Sequence, residues 1–202
     1  MLFVKKKNRD LRLCMDYCSL NKITQKDYYP IPLISDLLDI PKKARIYTKI
    51  DLRNAYHLVC IAKGDEWKTA FWTCYESFEW LVMPFGLSNI PAAFQRFMNE
   101  IFRDLLDMYV VVYLDDILIY SNNLEDHRKH IEEVLRHLHT HQLYAFSTKC
   151  VFHKKSVKFL GFILGPEGLV MNEQKVKVIR DWLVLRQLKE IQSFLGFLNF
   201  YQ

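Results

Sequence analysis

The 202-residue sequence predicts an α+β fold, an antiparallel sheet backed by helices. Three observations carry that expectation. Strand-like and helix-like patterns are interspersed without regular βα alternation. Two apolar β-rich runs, Tyr109 to Leu114 and Ile117 to Tyr120, are separated only by Asp115-Asp116, a spacing that demands a tight hairpin. Behind Pro91, the residues Phe94, Phe97, Met98, Ile101 and Leu105 recur at three- and four-residue intervals, the stripe of a helix with one buried face.

The remaining elements follow in chain order. Leu2 to Lys5 and Leu11 to Met15 alternate like strands around the polar break Lys7-Asn8-Arg9-Asp10, which reads as a hairpin with a basic tip. Pro30 and Pro32 introduce a short helix, Leu33 to Ile40, ended by Pro41. A strand from Ile46 to Ile50 runs into Asp51, and two apolar and aromatic stretches follow, Lys68 to Tyr75 and Phe78 to Met83. After the 109–120 hairpin, Asn122 or Asn123 can cap a helix whose first turn carries Glu125 and Asp126 and whose buried stripe is Ile131, Val134, Leu135 and Leu138. One β segment, Val157 to Leu164, closes at the Gly165-Pro166-Glu167-Gly168 turn. Two helical patterns end the chain, one with Val176, Ile179 and Leu183, the other with Leu188, Ile191, Leu195 and Leu198.

Composition narrows the function classes. Half the residues are apolar and a quarter charged, as in globular proteins. The formal charge of +5 suits a polyanionic partner without demanding one. The five cysteines show no CxxC pair and are odd in number, so neither a zinc site nor a disulfide framework is expected, and reduced thiols point to an intracellular protein. The first residues lack a signal-peptide pattern, and no run of 18 apolar residues predicts a membrane span.

The chemistry concentrates in carboxylates. Asp115 and Asp116 sit in a turn flanked on both sides by apolar strands, so the acids lie against a core and need compensation. A solvated Asp-Asp turn is the competing reading. Asp51 ends a second strand, and a sheet can bring it beside the pair. Two magnesium ions about 3.5–4 Å apart need bridging carboxylates from different elements, which one Asp plus an Asp pair supplies. Lys5, Lys6, Lys7, Arg9 and Arg12 on the first hairpin form either a solvated basic edge or a clamp for a triphosphate. The segment Pro84-Phe85-Gly86 brackets an aromatic ahead of a helix.

Together these blocks resemble gypsy-type long-terminal-repeat retrotransposon reverse transcriptases over essentially the whole chain. The resemblance runs through Leu-Phe-Val-Lys-Lys-Lys at 2–7, Asp16-Tyr17, Leu20-Asn21-Lys22, Lys49-Ile50-Asp51-Leu52, Tyr56-His57 and Lys68-Thr69-Ala70-Phe71. It continues in Val82-Met83-Pro84-Phe85-Gly86-Leu87, Phe94-Gln95, the decisive Val112 to Ser121 block, Lys149-Cys150, Phe159-Leu160-Gly161 and Ser193-Phe194-Leu195-Gly196. It implies RNA-directed DNA polymerase activity, the template-dependent addition of deoxynucleotides to a primer 3′-hydroxyl with two Mg2+ ions, or Mn2+ in their place. Asp51, Asp115 and Asp116 match the metal-site aspartates, with Asp116 the weaker contributor. Lys6 (or its neighbours Lys5 and Lys7) and Arg12 match triphosphate contacts, Tyr56 the ring that blocks a ribose 2′-hydroxyl, and Phe85 and Gly86 the segment beside the incoming nucleotide. The implied organisation is one right-hand polymerase domain, 1–202. Residues 1–45 and 57–88 would be mostly fingers, 46–56 and 89–164 mostly palm, and 165–202 the start of a truncated thumb or connection. Implied partners are an RNA or DNA template with its primer and dNTPs, within a polyprotein that also carries RNase H and integrase, in the cytoplasm or a virus-like particle.

Several positions depart from the family pattern. Cys18, Cys60, Trp72, Cys74 and Gln202 stand where Arg is frequent, Glu76 where a turn Gly is usual, and Leu183 and Leu185 where Pro is usual. Each change is one C-to-T or G-to-A transition, the signature of a decayed genomic copy in a host that methylates DNA. Lys42-Lys43 replaces a glycine pair. The alternative to an active polymerase is therefore an inactive relic that only binds nucleic acid or a host protein; a two-metal nuclease is a third reading. For the isolated chain the expectation is weak, salt-sensitive primer–template binding and little extension.

Overall fold

The computed structural model describes residues 2–5, 11–53, 55–182 and 187–199. Its centre is a four-stranded antiparallel sheet. In chain order the structure opens with a hairpin of β1 (Leu2–Lys5) and β2 (Leu11–Cys14), followed by α1 (Cys18–Ile23), α2 (Ile34–Asp39) and a 3-10 turn at Ile40–Lys43. Strand β3 (Ile46–Asp51) is followed by 3-10 turns at Ala55–Leu58 and Glu66–Thr69 and by a small hairpin of β4 (Phe71–Trp72) and β5 (Ser77–Phe78). Helix α3 (Ile90–Ile101), β6 (Val110–Tyr113), β7 (Asp116–Ser121), α4 (Leu124–Thr140) and β8 (Val151–Lys154) complete the central layer. The chain continues through β9 (Val157–Phe159), β10 (Phe162–Gly165), β11 (Gly168–Met171), α5 (Glu173–Arg180) and α6 (Leu188–Asn199).

The central sheet has the order β6-β7-β3-β8, with β9, β10 and β11 forming a separate three-stranded meander. Both faces of the central sheet are covered, which explains why its strands read as continuous apolar runs. Val110, Val112, Ile117, Ile119 and Ile50 point to one face, where Phe94, Met98 and Ile101 of α3 and Ile131, Val134 and Leu138 of α4 complete the larger core. The alternate residues Val111, Leu118, Tyr120 and Tyr47 point to the other, against Leu37 and Leu38 of α2 and Val157, Phe159 and Leu164 of the meander. At the other extreme, Phe3 and Val4 of β1 and Leu11 of β2 are exposed, so the first hairpin buries little of its apolar surface.

Three expectations are corrected. The β segment 157–164 is two strands: Leu160 and Gly161 have φ of 49° and 89°, and positive φ at both central residues turns β9 back onto β10. The loop of the 113–116 hairpin is Leu114-Asp115, because Asp116 already pairs with Tyr113 and opens β7. The stretches 68–75 and 78–83 do pair as a hairpin, through the two-residue strands β4 and β5, their aromatics packing ring on ring, as in the 5.7 Å stack of Phe71 on Phe78. Helix α3 ends at Ile101, short of Leu105, although Leu105 remains buried. Of the helix N-caps, Asn123 is the one used: its side chain accepts from the Asp126 N–H at 2.9 Å. Glu76 is absent from the positive-φ residues, so its turn does not require glycine. Leu183, Leu185 and Gln202 lie outside the described residues. All five cysteines are free thiols. Among the described residues no helix is long and apolar enough to cross a membrane.

A polar clamp ties α4 to the sheet. His127 is fully buried, its Nε2 2.8 Å from Thr48 Oγ1 on β3 and its Nδ1 2.8 Å from Ser121 Oγ on β7. Ser121 Oγ also meets His130 Nδ1 at 2.8 Å. Burial, then the neighbouring His153 and His130, pull the His127 pKa down to about 4. The unfolded chain therefore takes up a proton near pH 6.5 that the folded chain refuses until about pH 4. Stability supplied by neutral His127 is complete above that window and lost as pH falls through it, by up to about 3 kcal/mol. Urea midpoints measured from pH 7 to pH 4 should fall steadily, and His127→Gln should flatten the dependence; an unchanged slope in the variant would assign it to other groups.

Candidate active site

Strand pairing brings the acids to one end of the sheet. β3 and β7 run antiparallel in a register that sets Ile46 opposite Ser121 and Asp51 opposite Asp116. Asp51 and Asp116 therefore share a sheet face although 65 positions apart, and Asp115 occupies the turn between β6 and β7 beside them. The Asp115 carbonyl accepts the Leu52 N–H at 3.2 Å, tying the turn to the end of β3. The turn is strained: Leu114 has φ of 54°, a region costly for a residue with a branched side chain.

The electrostatics are those of crowded anions. The Asp115 pKa is raised, first by burial and then by the charges of Asp116 and Asp51; its backbone hydrogen bonding and Lys49 pull the other way. Lys49 Nζ meets Asp116 Oδ1 at 2.8 Å, and Lys149 Nζ meets Asp51 Oδ1 at 3.1 Å. As the side chains stand, these lysines meet the charge of two of the three acids. Among the described residues, no three His, Cys, Asp or Glu side chains form a ready metal cluster.

Aromatics wall the site. Tyr56, in the 3-10 turn after β3, lies 4.7 Å from the Phe94 ring and 5.6 Å, edge to face, from Phe85. Burial, followed by the charge of the neighbouring Asp115 carboxylate, pushes its pKa up. Gly86 has φ of 106°, a backbone conformation that favours glycine, although a Cβ there would make only ordinary contact with the Met15 carbonyl at 3.4 Å. The loop is held by Asn21 of α1, which donates to the Gly86 carbonyl at 2.7 Å and accepts from the Ser88 N–H at 2.8 Å.

Of the expected site residues, Asp51, Asp115, Asp116, Tyr56, Phe85 and Gly86 thus gather at one place. Arg12 lies on β2 opposite Val4, and Lys6 falls outside the described residues. Sequence reasoning gave no role to Lys49, Lys149, Asn21 or Gln95. Lys49 had a signal, standing two residues before Asp51 and therefore on its face of the strand. Gln95 had one too, an amide inside an apolar helical stripe that must find partners. Lys149 and Asn21 reach the site only through tertiary contacts.

The family described as Reverse transcriptase (RNA-dependent DNA polymerase) matches residues 4–164. The Transposon Tf2-3 and Tf2-7 polyproteins of Schizosaccharomyces pombe are each 40% identical over 200 residues, 99% of this chain. The chain spans only 15% of the length of either. A foamy viral protease-reverse transcriptase solved in complex with an RNA/DNA hybrid superposes with a TM-score of 0.83 at 27% identity, covering 98% of this chain and 26% of that one. A second such structure, with ds DNA, gives 0.90 at 27% identity, covering 98% and 35%. The antiparallel α+β architecture and the resemblance to gypsy-type retrotransposon enzymes both hold, and the chain belongs to the reverse transcriptase family.

Proposed function

We propose that this chain is the catalytic core of an RNA-directed DNA polymerase, extending a primer 3′-hydroxyl with deoxynucleotides against an RNA or DNA template. The observation that carries the reading is the pairing of Asp51 with Asp116 at the sheet end where Asp115 forms the adjoining turn. Three carboxylates from two distant segments offer the hard oxygen donors that Mg2+ selects. The donor set fits such ions, which would displace Lys49 and Lys149 from the acids. Asp51 and Asp115 would be the principal ligands and Asp116 the weaker. Bound there, divalent ions would lower the pKa of the primer hydroxyl and offset the charge of the triphosphate and the departing pyrophosphate.

The chain's own residues do the positioning. Tyr56, braced between Phe85 and Phe94, presents a fixed ring that would exclude a ribose 2′-hydroxyl. Gly86, without a Cβ, lets backbone approach the nucleotide, and Lys6 and Arg12 on the first hairpin would hold its triphosphate. In this reading residues 46–56 and 89–164 are mostly palm, 1–45 and 57–88 mostly fingers, and 165–202 begin the thumb. The relatives' nucleic-acid complexes support a primer–template partner.

The test is single-nucleotide addition to a DNA primer on an RNA template, with the chain in molar excess. A product one nucleotide longer should form with Mg2+ and a matching dNTP and vanish with chelator. Cleavage of the nucleic acid without dNTPs would mark a nuclease instead, and binding without extension the inactive reading. Binding itself should be improvable. Cys18 and Cys74 are exposed, so arginine at either position costs no burial. Cys18→Arg with Cys74→Arg is expected to tighten primer–template binding and to steepen its salt dependence by about one unit for each phosphate newly neutralised. Filter binding from low to high salt measures this, and an unchanged slope would place both positions off the nucleic-acid path.

A further inference from the structure

We propose that Gln95 is a positioning residue for the carboxylate turn, its side-chain amide acting as a substitute strand that fixes Leu114 and thereby Asp115. The inference rests on the polymerase reading above, in that Asp115 is taken as a metal ligand. β6 is an edge strand of the central sheet. In its pairing with β7, Tyr113 faces Asp116, so the outward-pointing backbone groups on the open edge are those of Val112 and Leu114. Nearer the start of β6 the edge is closed by backbone: the Val110 carbonyl accepts from Asp107 N–H at 3.1 Å and its N–H donates to Leu105 at 3.2 Å. At Val112 and Leu114 the side chain of Gln95 takes over. Its Oε1 accepts the Leu114 N–H at 2.8 Å and its Nε2 donates to the Val112 carbonyl at 3.1 Å.

The match is that of one peptide group to another, an acceptor beside a donor. Among side chains only an amide supplies that pair with this reach; a carboxylate has no donor and an aliphatic chain has neither. The amide is also oriented. Its second N–H donates to Asn99 Oδ1 at 2.8 Å, and Asn99 in turn donates to the Tyr29 hydroxyl at 2.9 Å. Gln95 is fully buried, so water cannot replace these bonds. The grip falls where the turn is strained, at Leu114, whose φ of 54° persists only if surrounding contacts over-determine it. Asp115 is the next residue, held from its far side by the Leu52 N–H. The backbone that carries the carboxylate is thus held by a helix on one side and the end of β3 on the other.

The intact chain can be tested with Gln95→Met, which keeps the side-chain length and removes both bonds to β6 and its turn together with the bond to Asn99. Gln95→Glu keeps the acceptor for Leu114 and loses the donor for Val112, and serves if the Met variant does not fold. Met98→Ala, a fully buried change one turn along α3, controls for general loss of stability. Three quantities are read: melting temperature, Mn2+ affinity by electron paramagnetic resonance, and kcat against KM for single-nucleotide addition. Gln95→Met should weaken Mn2+ binding by about 10–100-fold, the range typical of residues that orient metal ligands. It should lower kcat with little change in KM for the primer–template, and Gln95→Glu should fall between it and the unmodified chain. Met98→Ala should lower the melting temperature while leaving Mn2+ affinity intact. If Gln95→Met and Gln95→Glu lower only the melting temperature, Gln95 is structural and the proposal fails. Asp115→Asn run in parallel separates the two readings. Should it lose Mn2+ affinity while the Gln95 variants keep theirs, only the Gln95 role falls; should it also keep full affinity, the metal site itself is misassigned and both fall.

Discussion

Asp115→Asn is expected to lower the rate of nucleotide addition by on the order of 10³-fold, because a metal ligand supplies several kcal/mol of transition-state stabilisation. The same change should leave the melting temperature unchanged or raise it. Asp115 is held near two other acids, and burial and those charges both disfavour its ionised form. Asparagine removes the charge and keeps the shape. A residue whose neutralisation helps the fold but ends the chemistry is retained for function, the usual trade between stability and activity. Single-turnover extension and thermal melting on the same preparation decide the matter. Extension at the unmodified rate would remove Asp115 from the catalytic assignment.

What was legible in the sequence was local. Two β-rich runs two residues apart could form only a hairpin, and the 94–105 stripe called for a helix with one buried face, though its end fell one turn sooner. The acids were conspicuous because an apolar context makes an unpartnered carboxylate costly. Register was not legible. That Asp51 faces Asp116 follows from six consecutive residue pairs between strands far apart in the chain, fixed by which side chains reach which core. Helix α1 escaped notice because it buries none of its six residues and carries no stripe; it is held from outside, by Asn21 on the Gly86 loop. The break between β9 and β10 was hidden because Leu160 is an unusual residue at positive φ and Phe159 and Phe162 continue the apolar run across it. Gln95 stood in plain view inside a stripe, but its partners are backbone atoms of another element, which no pattern of side chains reveals.

The largest stability effect expected near the site comes from Phe94→Ala. The ring is fully buried on α3, one residue before Gln95, and packs against Tyr56 at 4.7 Å and Phe97 at 6.2 Å. Removing a buried aromatic costs the lost transfer free energy and leaves a cavity, together about 3–5 kcal/mol. In a chain of this size that lowers the melting temperature by roughly 10 °C or more. The cavity also opens directly behind Tyr56, whose ring is then braced by Phe85 alone among its two aromatic neighbours. A ring free to tilt into that space should exclude a ribose 2′-hydroxyl less well, so incorporation of ribonucleotides should rise relative to deoxynucleotides. Phe94→Leu, which refills part of the volume, should recover much of the stability and part of the selectivity. Denaturant midpoints, and the two incorporation rates measured well below the melting transition, check both halves. A loss under about 1 kcal/mol would contradict the burial of Phe94, since such small values belong to exposed positions. A full loss of stability with unchanged sugar selectivity would mean that Phe94 does not brace the ring and that discrimination lies elsewhere.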